Sequence, residues 1–320
     1  MSSTNAVFLE ALVPVFFGLA LGYYAGRRGR VDNRNVTSLN TTLMHFVLPC
    51  SLFLGVGRTP AIVLRSQFAL LAIIAIAMIV IYALVFVLER KTLRKSSSEA
   101  SVQALTVAFS NNVAVGLPLL SCLYGPAGLL AVAAGIMAGV LIISPVTLVL
   151  LECHAPGTET NAPPLLQRLK PAILTSLRRP VILAPVCALL FPLTGHTLPV
   201  AAVQAFDLVG KATIGLALFL TGLILSAQPL RLSAGVVLGV LLKNVAQPAI
   251  TFLLILLFHQ HGVIARETFL LAAVPAGFFG TVFGSRYGVA SRDTSSTLVL
   301  STAMSLLTLP AAIVLSGYLP

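Results

Sequence analysis

The sequence predicts an all-α integral membrane protein with ten transmembrane helices in two inverted five-helix repeats, the fourth and ninth helices being broken where they cross. Three observations predict it. The composition is too apolar for water, charge-free segments of bilayer length follow one another along the chain, and a set of landmarks recurs at one offset.

Of the 320 residues, 58% are hydrophobic and only 9% are charged, with a mean hydropathy of +1.00. A soluble domain carries about 25% charged residues, so this chain cannot cover its surface with charge, and its solvent is lipid. The runs Phe68–Leu88, Gly125–Leu151, Val181–Phe206 and Thr294–Pro320 contain no Asp, Glu, Lys or Arg. Each supplies the roughly 20 residues a helix needs to cross a bilayer core. The first apolar segment, residues 6–25, is too long for the apolar region of a signal peptide. It has no basic residues before it and no small-residue cleavage site after it, and reads as a helix. Applied along the chain, the same reading places helices at 6–25, 39–56, 68–88, 101–123, 127–151, 178–194, 199–225, 234–258, 267–287 and 294–317. The segment from Glu152 to Pro180 holds Pro156, Gly157, Pro163, Pro164 and Pro171 and is too polar and too broken to span. It divides the chain into a first repeat at 1–151, a cytoplasmic linker at 152–177 and a second repeat at 178–320.

The net charge of +11 would suit a nucleic-acid partner if the charges formed a patch, but they sit in the loops between apolar spans, so no nucleic acid is expected. Arg27, Arg28, Arg30 and Arg34, then Arg90, Lys91, Arg94 and Lys95, then Arg168, Lys170, Arg178 and Arg179, and finally Arg231, Arg286 and Arg292 all follow odd-numbered spans. Only Arg58, Arg65 and Arg266 lie on the other side. Cytoplasmic loops are the basic ones, which predicts an inner-membrane protein with both termini outside.

The repeat shows in four pairs of landmarks. Pro14 and Pro180, Gly55 and Gly222, Tyr124-Gly125 and Tyr287-Gly288, and Pro145 and Pro310 are each separated by 163 to 167 residues. A duplicated unit of five helices must enter the membrane the second time from the opposite face, the plan of many secondary transporters. Such carriers bind substrate near the midplane where paired helices are interrupted. The equivalent helices are the fourth, with Asn111, Asn112, Gly116 and Pro118, and the ninth, with Pro275, Gly277, Phe279, Gly280 and Thr281. Pro118 and Pro275 each remove a backbone donor and crowd the preceding turn. Half-helix N-termini offer free N–H groups to an anion. Asn111 and Asn112 could add amide donors or could join helices structurally. The Gly277–Thr281 stretch could serve a ligand or a close helix crossing.

Charged residues inside spans are functional candidates. Lys243, mid-helix and followed by Asn244, Gln247 and Pro248, could meet an anion or form a structural pair. Asp207 and Lys211, four apart, can neutralise each other. Glu10 and His45 could relay protons, although a lone histidine in an apolar helix also has structural uses. Arg286 could touch substrate or anchor the helix end. Cys50, Cys122, Cys153 and Cys187 form no CxxC and no Cys/His cluster, and no cofactor or metal is expected. Beyond their first residues the spans hold only two acidic residues, Glu10 and Asp207, and neither DDxxD nor HExxH, which argues against an enzyme. An internal inverted duplication argues against a channel.

Several stretches resemble the auxin efflux carrier family: "NTTLMHFVLPCSLF" (Asn40–Phe53), Asn111-x4-Gly116-Leu117-Pro118, and "TLPAAIVLSG" near the C-terminus. Within it, "LFLTGLILSA" (Leu218–Ala227) and "AGFFGTVFGSRYGV" (Ala276–Val289) are similar to bacterial malonate carriers. The resemblance implies a dimer formed through helices 1, 2, 6 and 7, with helices 3–5 and 8–10 as a moving unit in an elevator-type cycle. It implies that helices 4 and 9 cross at the substrate, that Asn111 is the crossover asparagine, and that Asn112 matches no fixed position. Helix 9 has no matching asparagine. The Arg286 position, commonly acidic in the wider family, is arginine in the malonate-like members. The substrate expected is a small organic anion, a dicarboxylate such as malonate, with auxin-like or bile-acid-like carboxylates as alternatives. The coupling ion is a proton or sodium; no carboxylate-rich sodium site is visible, which favours the proton.

Overall fold

The computed structural model describes residues 2–33, 35–153, 165–228, 230–289 and 291–319. These form helices α1 (Ser2–Arg27), α2 (Thr37–Gly57), α3 (Ala61–Lys91), α4 (Ser97–Ala108), α5 (Asn112–Tyr124) and α6 (126–153). They continue as α7 (Leu165–Leu177), α8 (Pro180–Thr194), α9 (Val200–Ala227), α10 (Ala234–Leu257), α11 (Gly262–Ala273), α12 (Phe279–Arg286) and α13 (Arg292–Ser316). There is no strand among the described residues. Among the described residues, six helical stretches are long and apolar enough to cross a membrane, within α2, α3, α6, α9, α10 and α13, consistent with an integral membrane protein. Part of the segment expected to be irregular is helical, since α7 runs over Leu165–Leu177 with Pro171 inside it. Residues 154–164 of that linker lie outside the described residues.

Proline placement explains much of the local geometry. Among the described residues four helices each contain one π turn, at Leu43–Val47, Asn112–Gly116, Gly139–Ile143 and Leu242–Ala246. Each turn is followed, two residues after its end, by a proline: Pro49, Pro118, Pro145 and Pro248. Proline lacks an N–H and its ring crowds the carbonyl four residues back. Widening the turn by one residue moves that carbonyl aside, so the helix bends and continues. This corrects the expectation for Pro118, which does not break its helix. The interruption lies upstream, at residues 109–111, where Phe109 is extended (φ −92°, ψ 100°). Pro275 does mark a break. Val274 before it leaves the helical region (φ −57°, ψ 137°), as a residue preceding proline tends to, and helix resumes only at Phe279.

The chain forms two compact units. Unit 1 comprises Met1–Leu71, Asn112–Ile136 and Arg178–Ala227; unit 2 comprises Ala72–Asn111, Met137–Leu177 and Gln228–Pro320. Each draws on both halves of the sequence. In unit 1, α1 lies directly on α9. A Cβ at Gly22 would overlap the Phe219 carbonyl, one at Gly222 the Leu19 carbonyl, and one at Gly26 the Ser226 hydroxyl. Only glycine allows two helix backbones to approach so closely, the usual way apolar helices associate where no water drives them together. Phe53 of α2 stacks on Phe206 with ring centroids 4.7 Å apart and meets Phe191 edge-on. In unit 2, α4 opens with a capping box in which Ser96 and Glu99 satisfy each other's backbone N–H groups. Thr147 of α6 bonds to the Tyr82 hydroxyl of α3 at 3.0 Å.

Candidate functional site: a braced helix crossing

In unit 2 the two interrupted stretches meet. Ser110 and Ala276 form an isolated antiparallel bridge. The Asn111 N–H donates to the Pro275 carbonyl at 2.9 Å, and the Gly277 N–H to the Thr106 carbonyl at 3.2 Å. Small residues make this possible, since a Cβ at Gly277 would strike the Phe109 carbonyl and one at Gly280 the Thr106 hydroxyl. Phe109 stacks on Phe279 at 4.7 Å, and Phe279 on Phe278 at 5.0 Å.

Interrupting a helix exposes the carbonyls of its last turn, and in a low-dielectric interior those groups must find donors. The π turn of α10 supplies them. Lys243 is fully buried, and its ammonium donates to Ser110 Oγ at 2.5 Å, Gln247 Oε1 at 2.8 Å and the Ala272 carbonyl at 3.2 Å. Gln247 Nε2 donates in turn to the Ala108 carbonyl at 3.0 Å. Ala108 ends α4, and Ala272 lies in the last turn of α11. One lysine–glutamine pair therefore caps both broken helices. Beside it, Asn244 Oδ1 accepts from Ser301 Oγ at 2.6 Å, and Ser301 Oγ accepts from the Ala276 N–H at 2.9 Å. Asn244 Nδ2 donates to the Ser301 carbonyl at 3.1 Å.

No carboxylate lies within ion-pair reach of Lys243 among the described residues. Its charge faces the carbonyl ends of α4 and α11, where helix dipoles are negative. With those ends offset, the positive N-terminal end of α12 is the polarity left at the crossing. That arrangement suits an anion.

Of the residues singled out from sequence, Asn111, Lys243, Pro275, Gly277, Phe279 and Gly280 come together in this crossing. Lys243 is not open to a ligand, because its three N–H donors are all used. The Thr281 hydroxyl donates to the Phe278 carbonyl at 2.6 Å. Thr281 also lines a polar cavity of about 320 Å3 with Ser285, Ser291, Arg292 and Ser295. Asn112, Gly116 and Pro118 belong to unit 1. The Asn112 amide there is buried without a hydrogen-bond partner among the described residues, a state that costs free energy unless something else supplies the bond. Arg286 closes α12, and its side chain lies outside the described residues, as does that of Glu10. His45 is exposed on α2, and Asp207 and Lys211 pair at 2.7 Å. Sequence reasoning passed over Ser110, Ser301, and the capping roles of Asn244 and Gln247. Polar residues spaced as Lys-Asn-x-x-Gln-Pro in an otherwise apolar helix were the available signal.

Residues 7–313 match the family described as "Membrane transport protein". The chain is 26% identical over 312 residues to the "Uncharacterized transporter YfdV" of Escherichia coli (strain K12), covering 97% of this chain and 98% of that one. The same identity holds for the YfdV transporter of Shigella flexneri. It is 22% identical over 330 residues to "Auxin efflux carrier component 5" of Arabidopsis thaliana, with 93% of each chain covered.

Proposed function

The chain belongs to the membrane transport protein family, a family of transporters rather than enzymes, and from that premise we propose that it is a secondary active carrier of a small carboxylate, a dicarboxylate such as malonate. The observation that carries this reading is the crossing in unit 2, where a buried ammonium caps the carbonyl ends of two interrupted helices. A channel needs no such interruption, whereas a carrier holds its substrate at the midplane on broken helices.

The proposed architecture is ten transmembrane helices in two inverted repeats, in the inner membrane with both termini outside. The two interruptions, at residues 109–111 and 274–278, fall in equivalent helices and support the repeat. In this reading the protein dimerises through the helices of unit 1, which include α1, α2, α8 and α9. The helices α3–α6 and α10–α13 carry the substrate by elevator-type alternating access, coupled to protons. The backbone ends at the crossing and the Asn111 amide meet one carboxylate. A second carboxylate could not be desolvated without its own cation, and Arg286 takes that part because its planar fork can meet a carboxylate with two parallel bonds.

The test is uptake of labelled mono-, di- and tricarboxylates into proteoliposomes under separately imposed proton and sodium gradients. Saturable malonate uptake driven by the proton gradient is expected. Uptake of monocarboxylates alone, or of an aromatic acid alone, would replace malonate with that substrate. Replacing Arg286 by Gln should weaken malonate binding by about 2 kcal/mol or more and leave a monocarboxylate nearly unaffected. Equal losses for both ligands would make Arg286 a structural residue.

A further inference from the structure

Unit 1 contains a cavity of about 490 Å3, within the range of small-ligand pockets, with largely apolar walls and a few polar groups. It is lined by Ser51 and Arg58 at the end of α2, Ser121 of α5, and Asp207, Gly210 and Lys211 of α9. Gly210 brings α9 onto α2, since a Cβ there would sit 3.1 Å from the Ser51 backbone nitrogen.

The charges around this cavity do not cancel. Lys211 is committed to Asp207 at 2.7 Å, but Arg58 has no ion pair among the described residues. The hydroxyls of Ser51 and Ser121 also have no hydrogen-bond partner among the described residues. Serine within a helix ordinarily returns its hydroxyl to a carbonyl of the preceding turn, so two such groups beside an unpaired guanidinium make a set of free donors. Donors in surplus with one net positive charge fit an acceptor-rich anion.

We propose that this cavity is a second carboxylate site, a vestibule on unit 1 distinct from the crossing in unit 2. On the proposed orientation it faces outside. Arg58 takes the carboxylate in bidentate fashion, and Ser51 and Ser121 donate to the remaining oxygens. Asp207 tunes the site by competing with the ligand for Lys211. The ligand's identity as a dicarboxylate rests on the carrier reading above; the anion preference of the cavity does not.

The test uses the full-length protein with its four cysteines replaced by serine and Ile214→Cys, which lines the cavity without donating to the ligand, introduced as a reporter. Reaction with an anionic sulfonatoethyl thiosulfonate should be about tenfold faster than with its cationic trimethylammonium counterpart. Malonate should protect the thiol. Arg58→Gln and Lys211→Gln should each lower the anion preference, and Asp207→Asn should raise it. Asn111→Ala should leave protection intact while uptake falls. Equal rates for the two reagents, or an Asp207→Asn variant that loses anion preference, would overturn the site. Malonate uptake without protection would overturn it too and leave the carrier reading standing. Protection in a protein that carries no carboxylate would do the reverse.

Discussion

The seam between α1 and α9 in unit 1 and the crossing in unit 2 solve the same problem by opposite means. At the seam, Gly22 and Gly222 let two intact helices touch backbone to backbone, and every carbonyl there already has its own helical donor. At the crossing, two helices have lost their continuity, and Lys243, Gln247, Asn244 and Ser301 supply the missing bonds from outside. The difference teaches how to read polar residues in lipid. An unbroken helix pair needs small residues; a broken one needs polar side chains at full burial. Unit 2 spends buried lysine, asparagine and glutamine on keeping an interruption open, and interruptions are where ligands are held.

If the comparison is right, damage at the two places should differ in kind. The largest effect is expected from Gly222→Leu, which forces a side chain into the Leu19 carbonyl. A loss of about 3 kcal/mol or more should appear as absent or aggregated protein on size-exclusion chromatography. Folded protein with an unchanged melting temperature would mean that the helices separate without cost.

Next comes Lys243→Met, which fills similar space but leaves Ser110, Gln247 and the Ala272 carbonyl short of a donor. A destabilisation of about 2–3 kcal/mol is expected, with Lys243→Gln recovering part of it by reaching one acceptor. The check is thermal unfolding in detergent of both variants beside wild type. Equal stability of Lys243→Met and wild type would remove the capping role.

The smallest effect belongs to the ion pair of Lys95 and Asp293, 2.6 Å apart at the edge of unit 2. The hydrogen bond to Asp293 holds the Lys95 pKa above its ordinary value. The raised value means that the pair stabilises the fold fully below the normal lysine pKa of about 10.4. That contribution fades as pH rises through the raised value. Because solvent still reaches Lys95, whose side chain is 29% exposed, the stabilisation is screened to about 1 kcal/mol. Lys95→Met should therefore lower the unfolding midpoint slightly at neutral pH and not at all above the lysine range. A difference that persists at high pH would assign the effect to packing.

Much of the fold was legible because lipid imposes a simple rule: charge-free stretches of about 20 residues are helices. Six of the expected segments fall on described helix long and apolar enough to span, with α1 and α3 running longer at both ends than their apolar cores, while the expected fourth and ninth are interrupted at 109–111 and 274–278. The glycine seam was legible too, in the spacing of Gly18, Gly22 and Gly26, but went unread. Pro118 was misleading for a physical reason. A proline's effect depends on whether the turn before it can widen, and nothing in the residues Asn112–Gly116 announces that it does. Conversely, the break at Phe109 has no proline at all. It is held by tertiary bonds from Lys243, Gln247 and Pro275, residues more than 130 positions away, which local sequence cannot display. Lys243 was recognisable as an anomaly, but its acceptors at Ser110 and Ala272 could not be foreseen from its neighbours.

The most direct test of the account is the malonate binding isotherm of Asn111→Ala beside its melting temperature. The Asn111 backbone bond to Pro275 survives this change, so the crossing should stay folded, and on the proposed reading one amide donor to the carboxylate is lost. Loss of a hydrogen bond to a charged group costs about 1.5–3 kcal/mol, and malonate affinity should fall roughly 10- to 100-fold with the melting temperature unmoved. An unchanged isotherm would contradict the account and make Asn111 a structural residue of the crossing.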